Sequence, residues 1–285
     1  VCSVSVAACV FFEWAITRYM LRRPTTLLDG SACITGVLLG RNLPSNFPIW
    51  MIIVGALVAI GIGKMTFGGL GCNPFNPAIV GRCFLLVSFP AAMTSWPVAG
   101  QQMAYTDAVT GATPLSLMKT AIKTGDVSVL QGLPDTVDML LGNVANGYGA
   151  GTIGEVCALA LIAGLIWMLW RRVITWHIPI TILATVFVLS GALHVANPVY
   201  AHPMAVVLSG GLMLGAIFMA TDYVTSPMTH RGQVIYAVGI GVLTVVIRNW
   251  GSYPEGMSFA ILIMNAFTPL INFYVKPKRF GEVSR

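Results

Sequence analysis

Long apolar stretches separated by short polar joints make up most of this chain. The apolar segments fall at about 1–20, 30–43, 48–63, 77–93, 153–170, 178–195, 204–220, 234–250 and 257–275. A helix needs around 20 residues to cross a bilayer. Segments 30–43 and 48–63 are short by that measure, with Asn42-Leu43-Pro44-Ser45-Asn46-Phe47-Pro48 between them. Broken or tilted helices inside a bundle suit them, because irregular backbone at membrane depth needs a cover of protein. The pattern predicts an all-α polytopic membrane protein in three parts. These are a first membrane half (1–93), a long polar loop (94–152), and a second membrane half with a basic tail (153–285).

Composition narrows the class. The chain is 56% apolar and 9% charged, with a mean hydropathy of +0.80. Soluble domains carry about 25% charged residues. The net charge of +6 does not point to nucleic acid, because the basic residues gather at segment ends rather than in one patch. The lipid bilayer is the partner this composition implies.

The basic residues also orient the chain. Alternating crossings place Arg18, Arg22, Arg23, Lys64, Arg82, Arg171, Arg172, Arg231, Lys276, Lys278 and Arg279 on the cytoplasmic side. Arg41, Lys119, Lys123 and Arg248 then fall outside, together with the 94–152 loop. Val1 opens inside an apolar run without a start methionine, so an N-terminal helix is expected to be missing. Restoring it gives ten segments, five on each side of the loop. Five is odd, so the halves would be inverted relative to each other, a plan common in transporters. Two Gly/Pro-rich entries, Gly71–Ala78 and Gly251–Ala260, open the final helix of each half.

Ionisable and amide side chains in or beside apolar segments come next, since they mark ion paths or cofactor pockets by default. They are Glu13, Asp29, Lys64, Asn73, Asn76, Arg82, Glu155, Asp222, Glu255 and Asn265. Lys64 and Arg82 have a plainer reading as interfacial snorkels, and Asp29 and Asn76 as helix caps. Asp222 and Glu155, with Glu13 and Glu255, are the candidates for a cation path. Asn73 and Asn76 offer both donors and acceptors, as the edge of a flavin ring requires. The six cysteines form no Cys-x-x-Cys and no zinc spacing, and most read as small buried hydrophobes. Iron–sulfur ligation by Cys33, Cys72 or Cys83 stays open, short of the usual four thiolates. The four histidines are scattered, and no metal site is expected.

The loop carries the sharpest motif, Asp107-Ala108-Val109-Thr110-Gly111-Ala112-Thr113. Gly111 and Ala112 have almost no side chain, so the backbone there is free to enter another protein's active site. This stretch resembles the flavinylation motif Asp-x-x-Ser/Thr-Gly-Ala-Thr of the Rnf and Na⁺-translocating NADH:quinone reductase (Nqr) membrane subunits. Lys64–Ala78 resembles their Gly-Gly…Asn-x-x-Asn-Pro-Ala block and Gly151–Glu155 their Gly-Ser-x-Gly-Glu block. Phe218–Thr225 resembles their Ala-Thr-Asp-Pro-Val-Thr/Ser block, with Tyr223 where proline is usual.

The resemblance implies a urea-transporter-like fold of two inverted five-helix halves in a bacterial or archaeal inner membrane. It implies FMN held covalently on Thr113 by a phosphoester, with Asp107, Thr110, Gly111 and Ala112 around it. A second, noncovalent flavin, riboflavin, is implied as well. The partners implied are the other Rnf complex subunits: the A and E membrane subunits, the flavin-bearing G component, and the peripheral B and C components. A flavin transferase acting on the extracytoplasmic loop is implied with them. The length favours the D-type component of a ferredoxin:NAD⁺ oxidoreductase that moves Na⁺ or H⁺, with no complete active site in this chain alone. Two alternatives are the Nqr B component, whose electrons end on quinone, and a non-redox channel of the same fold.

Overall fold

The computed structural model describes residues 1–24, 26–97, 111–142, 151–253 and 255–276. Among them every regular element is helical. In the first half, α1 (Cys2–Ala15) runs on through a π turn to Met20, and α2 spans Ser31–Arg41. Helix α3 (Ile49–Leu57) continues through a π turn at Val58–Ile62, and α4 (Pro77–Ser88) precedes the single turn α5 (Pro90–Met93). The loop contributes α6 (Pro114–Thr124) and α7 (Thr136–Leu141). The second half holds α8 (Ala158–Trp170), α9 (His177–Ala196), α10 (Pro203–Leu208), α11 (Leu212–Leu214, with a π turn to Met219), α12 (His230–Trp250) and α13 (Met257–Tyr274).

Starts and stops follow local chemistry. Asn76 caps α4, its side-chain oxygen accepting from the Ala78 and Ile79 amides, with Pro77 in the first turn. Thr229 caps α12 in the same manner. Left-handed Gly125 and Gly142 end α6 and α7, a conformation that costs glycine nothing.

Among the described residues, four stretches are long and apolar enough to cross a membrane: Ile49–Phe67, His177–Ala196, His230–Trp250 and Met257–Tyr274. The 48–63 segment is therefore not a short piece. Its helix runs past the apolar stretch to Phe67, because the π and 3-10 turns carry it through Lys64. The 30–43 segment is short as expected, its helix spanning Ser31–Arg41, and 204–220 is broken as well, interrupted at Ser209-Gly210-Gly211 between α10 and α11.

Packing repeats from half to half. Helix α1 packs on α2 and α3, and α3 on α4; α9 packs on α10 and α12, and α12 on α13. In the first half the seam is tight: a Cβ on Gly36 would sit 2.6 Å from the Val6 Cα, and one on Gly40 2.9 Å from the Cys2 Cα. This is close helix approach through small residues four apart. The halves meet where α4 lies against α13. The two run antiparallel, with Arg82 beside Glu255 and Asn76 beside Asn265. One apolar core spans both halves, and Leu115 and Met118 of α6 join Met139, Ala205 and Leu208 in a second, smaller one.

Candidate functional site

Thr113 stands at the N-cap of α6. Its hydroxyl accepts from the Ser116 amide at 3.2 Å, and Pro114 follows in the first turn. The side chain is buried, at 8% exposure, while Ala112 is exposed. The Gly111 amide donates to the Trp96 carbonyl at 3.0 Å and ties the motif to the end of the first half. No acidic residue occupies the first turn of α6. The Thr113 hydroxyl therefore lies at the positive end of a helix, where an anionic group is favoured. Asp107 and Thr110 lie outside the described residues.

The far face of α6 lines a cleft. Leu115, Met118 and Lys119 form one wall, and Tyr200, Arg248 and Asn249 stand opposite. Lys119 Nζ donates to the Gly251 carbonyl at 2.6 Å, which locks α6 to the end of α12. Arg248 is 5% exposed and donates to the carbonyls of Val206 and Ser209 at 2.7 and 3.0 Å. It closes the open end of α10 where the chain breaks. Sequence reading treats Arg248 as an outward basic residue. The Ser-Gly-Gly interruption inside an apolar run is the signal that could have found its role.

The intramembrane charges fall into two centres. In one, Lys64 Nζ donates to Glu13 Oε2 at 2.6 Å and to the Ser31 hydroxyl at 2.5 Å, while Thr26 donates to Glu13 Oε1 at 2.7 Å. Both carboxylate oxygens of Glu13 are thus engaged. In the other, Arg82 of α4 bridges the two halves. It donates to the Asn42 side chain at the end of α2 and pairs with Glu255 ahead of α13. Glu155 Oε1 lies 4.0 Å from Arg82 and has no hydrogen-bond partner.

The snorkelling reading of Lys64 and Arg82 is corrected here. They are 1% and 2% exposed and held in buried ion pairs, so neither marks a membrane surface.

Asp222 lies in the turn after the π turn that extends α11. It accepts from the Val224 amide at 3.5 Å and the Thr225 hydroxyl at 3.3 Å. Burial raises its carboxyl above the ordinary aspartate range, against the downward pull of those two donors. Asp29 is not the N-cap of α2, which is Gly30; it stands one residue earlier and accepts from the Ser31 amide and hydroxyl.

Asn76 donates to the Met219 carbonyl while capping α4, and Asn73 donates to the Phe75 carbonyl. Asn76 thus uses both its oxygen and its nitrogen within the chain, and Asn73 uses its nitrogen. Cys9 and Cys83 are buried as expected, but Cys33 and Cys72 are exposed. Among the described residues no group of three His, Cys, Asp or Glu side chains is placed to hold a metal ion. The histidines are not scattered in space: His177 stacks on His230 at 4.3 Å, and His194 meets His202 at 5.8 Å.

Residues 1–281 match the NQR2, RnfD, RnfE family. The chain belongs to that family. Three relatives, each the D component of its complex, show its setting. The one from the Na⁺-translocating ferredoxin:NAD⁺ oxidoreductase complex of Acetobacterium woodii is 45% identical, over 97% of this chain and 81% of the relative. The one from the proton-translocating ferredoxin:NAD⁺ oxidoreductase complex of Clostridium ljungdahlii is 40% identical, over 97% and 82%. The one from an ion-translocating oxidoreductase complex of Stutzerimonas stutzeri is 39% identical, over 95% and 81%. Within the NQR2, RnfD, RnfE family, the named relatives thus each belong to an ion-translocating oxidoreductase complex, and the first two differ in the ion named.

Proposed function

We propose that this chain is the D-type membrane component of a ferredoxin:NAD⁺ oxidoreductase complex of the Rnf kind. It would carry covalent FMN on Thr113 and pass electrons in step with Na⁺ or H⁺ translocation. The observation that carries the reading is the Thr113 hydroxyl, the last residue of the flavinylation motif, standing at the N-cap of α6. FMN supplies one- and two-electron redox chemistry when bound. The chain's own residues supply the anchor. Thr113 gives the oxygen, the Ser116 amide and the start of α6 favour the phosphoester charge, and the cleft beside Lys119 and Tyr200 gives an apolar wall with polar ends.

The inverted two-half plan fits this role. Repeated packing in the halves and the antiparallel α4 and α13 support it. The exposed basic residues Arg18, Arg22, Arg23, Arg171, Arg172, Arg231 and Lys276 support a cytoplasmic face opposite the Thr113 loop. Ion-path candidates remain Asp222, Glu155, Glu13 and Glu255. Asn73, whose side chain is bonded only through its nitrogen, and Asn76 stay candidates for a second, noncovalent flavin. The Nqr-type component differs in sending electrons to quinone, and a channel without redox chemistry would leave the Thr113 motif without a task.

The decisive experiment is the intact mass of the denatured chain, expressed with and without a flavin transferase. The expected result is an FMN increment only with the transferase. An unmodified Thr113 in an active native complex would remove the redox role assigned to this loop.

A further inference from the structure

Glu155 is set in a turn whose backbone is fastened to the end of α2, the Gly154 amide donating to the Arg41 carbonyl at 2.8 Å. Its side chain is 7% exposed. One oxygen, Oε2, receives only a long bond of 3.4 Å from the Thr152 amide. The other, Oε1, is buried and receives none. Three charged groups face it from three elements: Arg82 on α4, Glu255 ahead of α13 and Arg248 on α12. Arg82 is committed elsewhere, to Glu255 and Asn42. The backbone of the broken helix passes directly over this oxygen. A Cβ on Gly211 would lie 3.1 Å from Glu155 Oε1 and 3.2 Å from Arg82 Nη1.

A buried carboxylate oxygen without a donor is a costly arrangement for an anion. It suits a group that takes up a proton and becomes a donor itself. Glu255 already compensates Arg82, so protonation of Glu155 leaves that pair neutral and leaves the charge of Arg248 to the Val206 and Ser209 carbonyls that hold it. A metal cation fits less well. Hard cations take about six or more oxygens, and an arginine stands in this shell.

We propose that Glu155 is a proton-exchange site at the junction of the two halves, poised between the Arg82–Glu255 pair and the Ser209–Gly211 break. The step is the reversible transfer of one proton from a hydronium ion to Glu155: an O–H bond forms on Oε1 as one O–H bond of the hydronium breaks and water leaves, and no electron moves. Proton movement in either half of the redox cycle would change the charge on one side of the break and bias how Gly211 sits against Arg82 of α4. This rests on the redox-pump reading of the chain.

The test is infrared difference spectroscopy of the purified whole complex across a pH step, with a sodium step at fixed pH as the second arm. The expected result is a protonated-carboxyl signal in the pH arm that disappears in Glu155→Gln and moves in frequency in Glu155→Asp. In membrane vesicles, Glu155→Gln should lose ion transport coupled to electron flow while covalent flavin is kept. A signal unchanged in both variants overturns the proposal, as does the same signal evoked by sodium alone. Should Glu155→Gln not assemble, the unmoved band of Glu155→Asp overturns it. A native complex lacking flavin on this chain would instead overturn the redox reading and leave the infrared result standing.

Discussion

Thr113 carries two duties on one hydroxyl. It caps α6, and it is the proposed attachment atom. Thr113→Val should therefore do two measurable things. The FMN mass increment should vanish, and α6 should lose about 1 kcal/mol of cap stability, read as a lower unfolding temperature of the unmodified chain. Thr113→Ser keeps the cap, so its unmodified form should unfold like wild type. Equal destabilisation by Ser and Val would show that the cap is not what Thr113 contributes. Asp222 is tested differently. Asp222→Asn keeps the size and an oxygen to accept from the Val224 amide, but removes the charge and the second acceptor. It should retain covalent FMN and lower ion-dependent turnover, and normal turnover with normal ion dependence would return Asp222 to a purely structural role. At this scale residue type was legible and partnership was not. Lys64, Glu13, Arg82 and Glu255 all stand out as charges in apolar surroundings. Yet Lys64 finds Glu13 across 51 positions and Arg82 finds Glu255 across 173. Only tertiary contact distinguishes a buried pair from a snorkel, since both present one basic residue near the end of an apolar run.

At the scale of elements, hydrophobic length located the helices and missed their interruptions. The 48–63 segment looked short because the count stopped at Lys64, a charge the fold hides by pairing it. The 204–220 segment looked continuous because Ser209-Gly210-Gly211 adds little polarity, although two adjacent glycines remove the side chains that would hold a helix there. Arg248 then occupies the carbonyls the break exposes. The seam between α1 and α2 gives the sharpest prediction on this scale. Gly36 has no room for a methyl group against the α1 backbone. Gly36→Leu should separate the two helices at a cost of about 1–3 kcal/mol or more, seen as a lower thermal midpoint in detergent and faster proteolysis of the first half. Gly132→Leu is the control, because a Cβ there meets nothing within 4 Å. Equal stability of the two variants would mean that the α1–α2 seam does not bear on folding.

For the whole molecule, α12 serves as a ruler. Its 21 residues from His230 to Trp250 extend about 31 Å at 1.5 Å per residue, close to the ~30 Å hydrocarbon core of a bilayer. Met228, exposed and hydrogen-bonded through its amide to Asn272, lies just before one end. Gly251 lies just past the other, and Lys119 of α6 is fastened to it. Thr120, the exposed neighbour of Lys119, and Met228 must then face opposite sides of the membrane, whichever way the chain is inserted. Basic residues decide which way. With buried Lys64, Arg82, Lys119 and Arg248 set aside, the exposed ones at the Met228 end include Arg18, Arg22, Arg23, Arg171, Arg172, Arg231 and Lys276. Arg41 and Lys123 remain at the other. Removing the buried charges sharpens the asymmetry the orientation depends on, because only residues at the interface respond to the insertion machinery. In a background with Cys33 and Cys72 changed to serine, an impermeant maleimide applied to intact cells should label Thr120→Cys and spare Met228→Cys. Permeabilised cells should show both. Labelling of both sites in intact cells would break the ruler argument, and labelling of Met228→Cys alone would invert the topology and put the Thr113 motif on the cytoplasmic face.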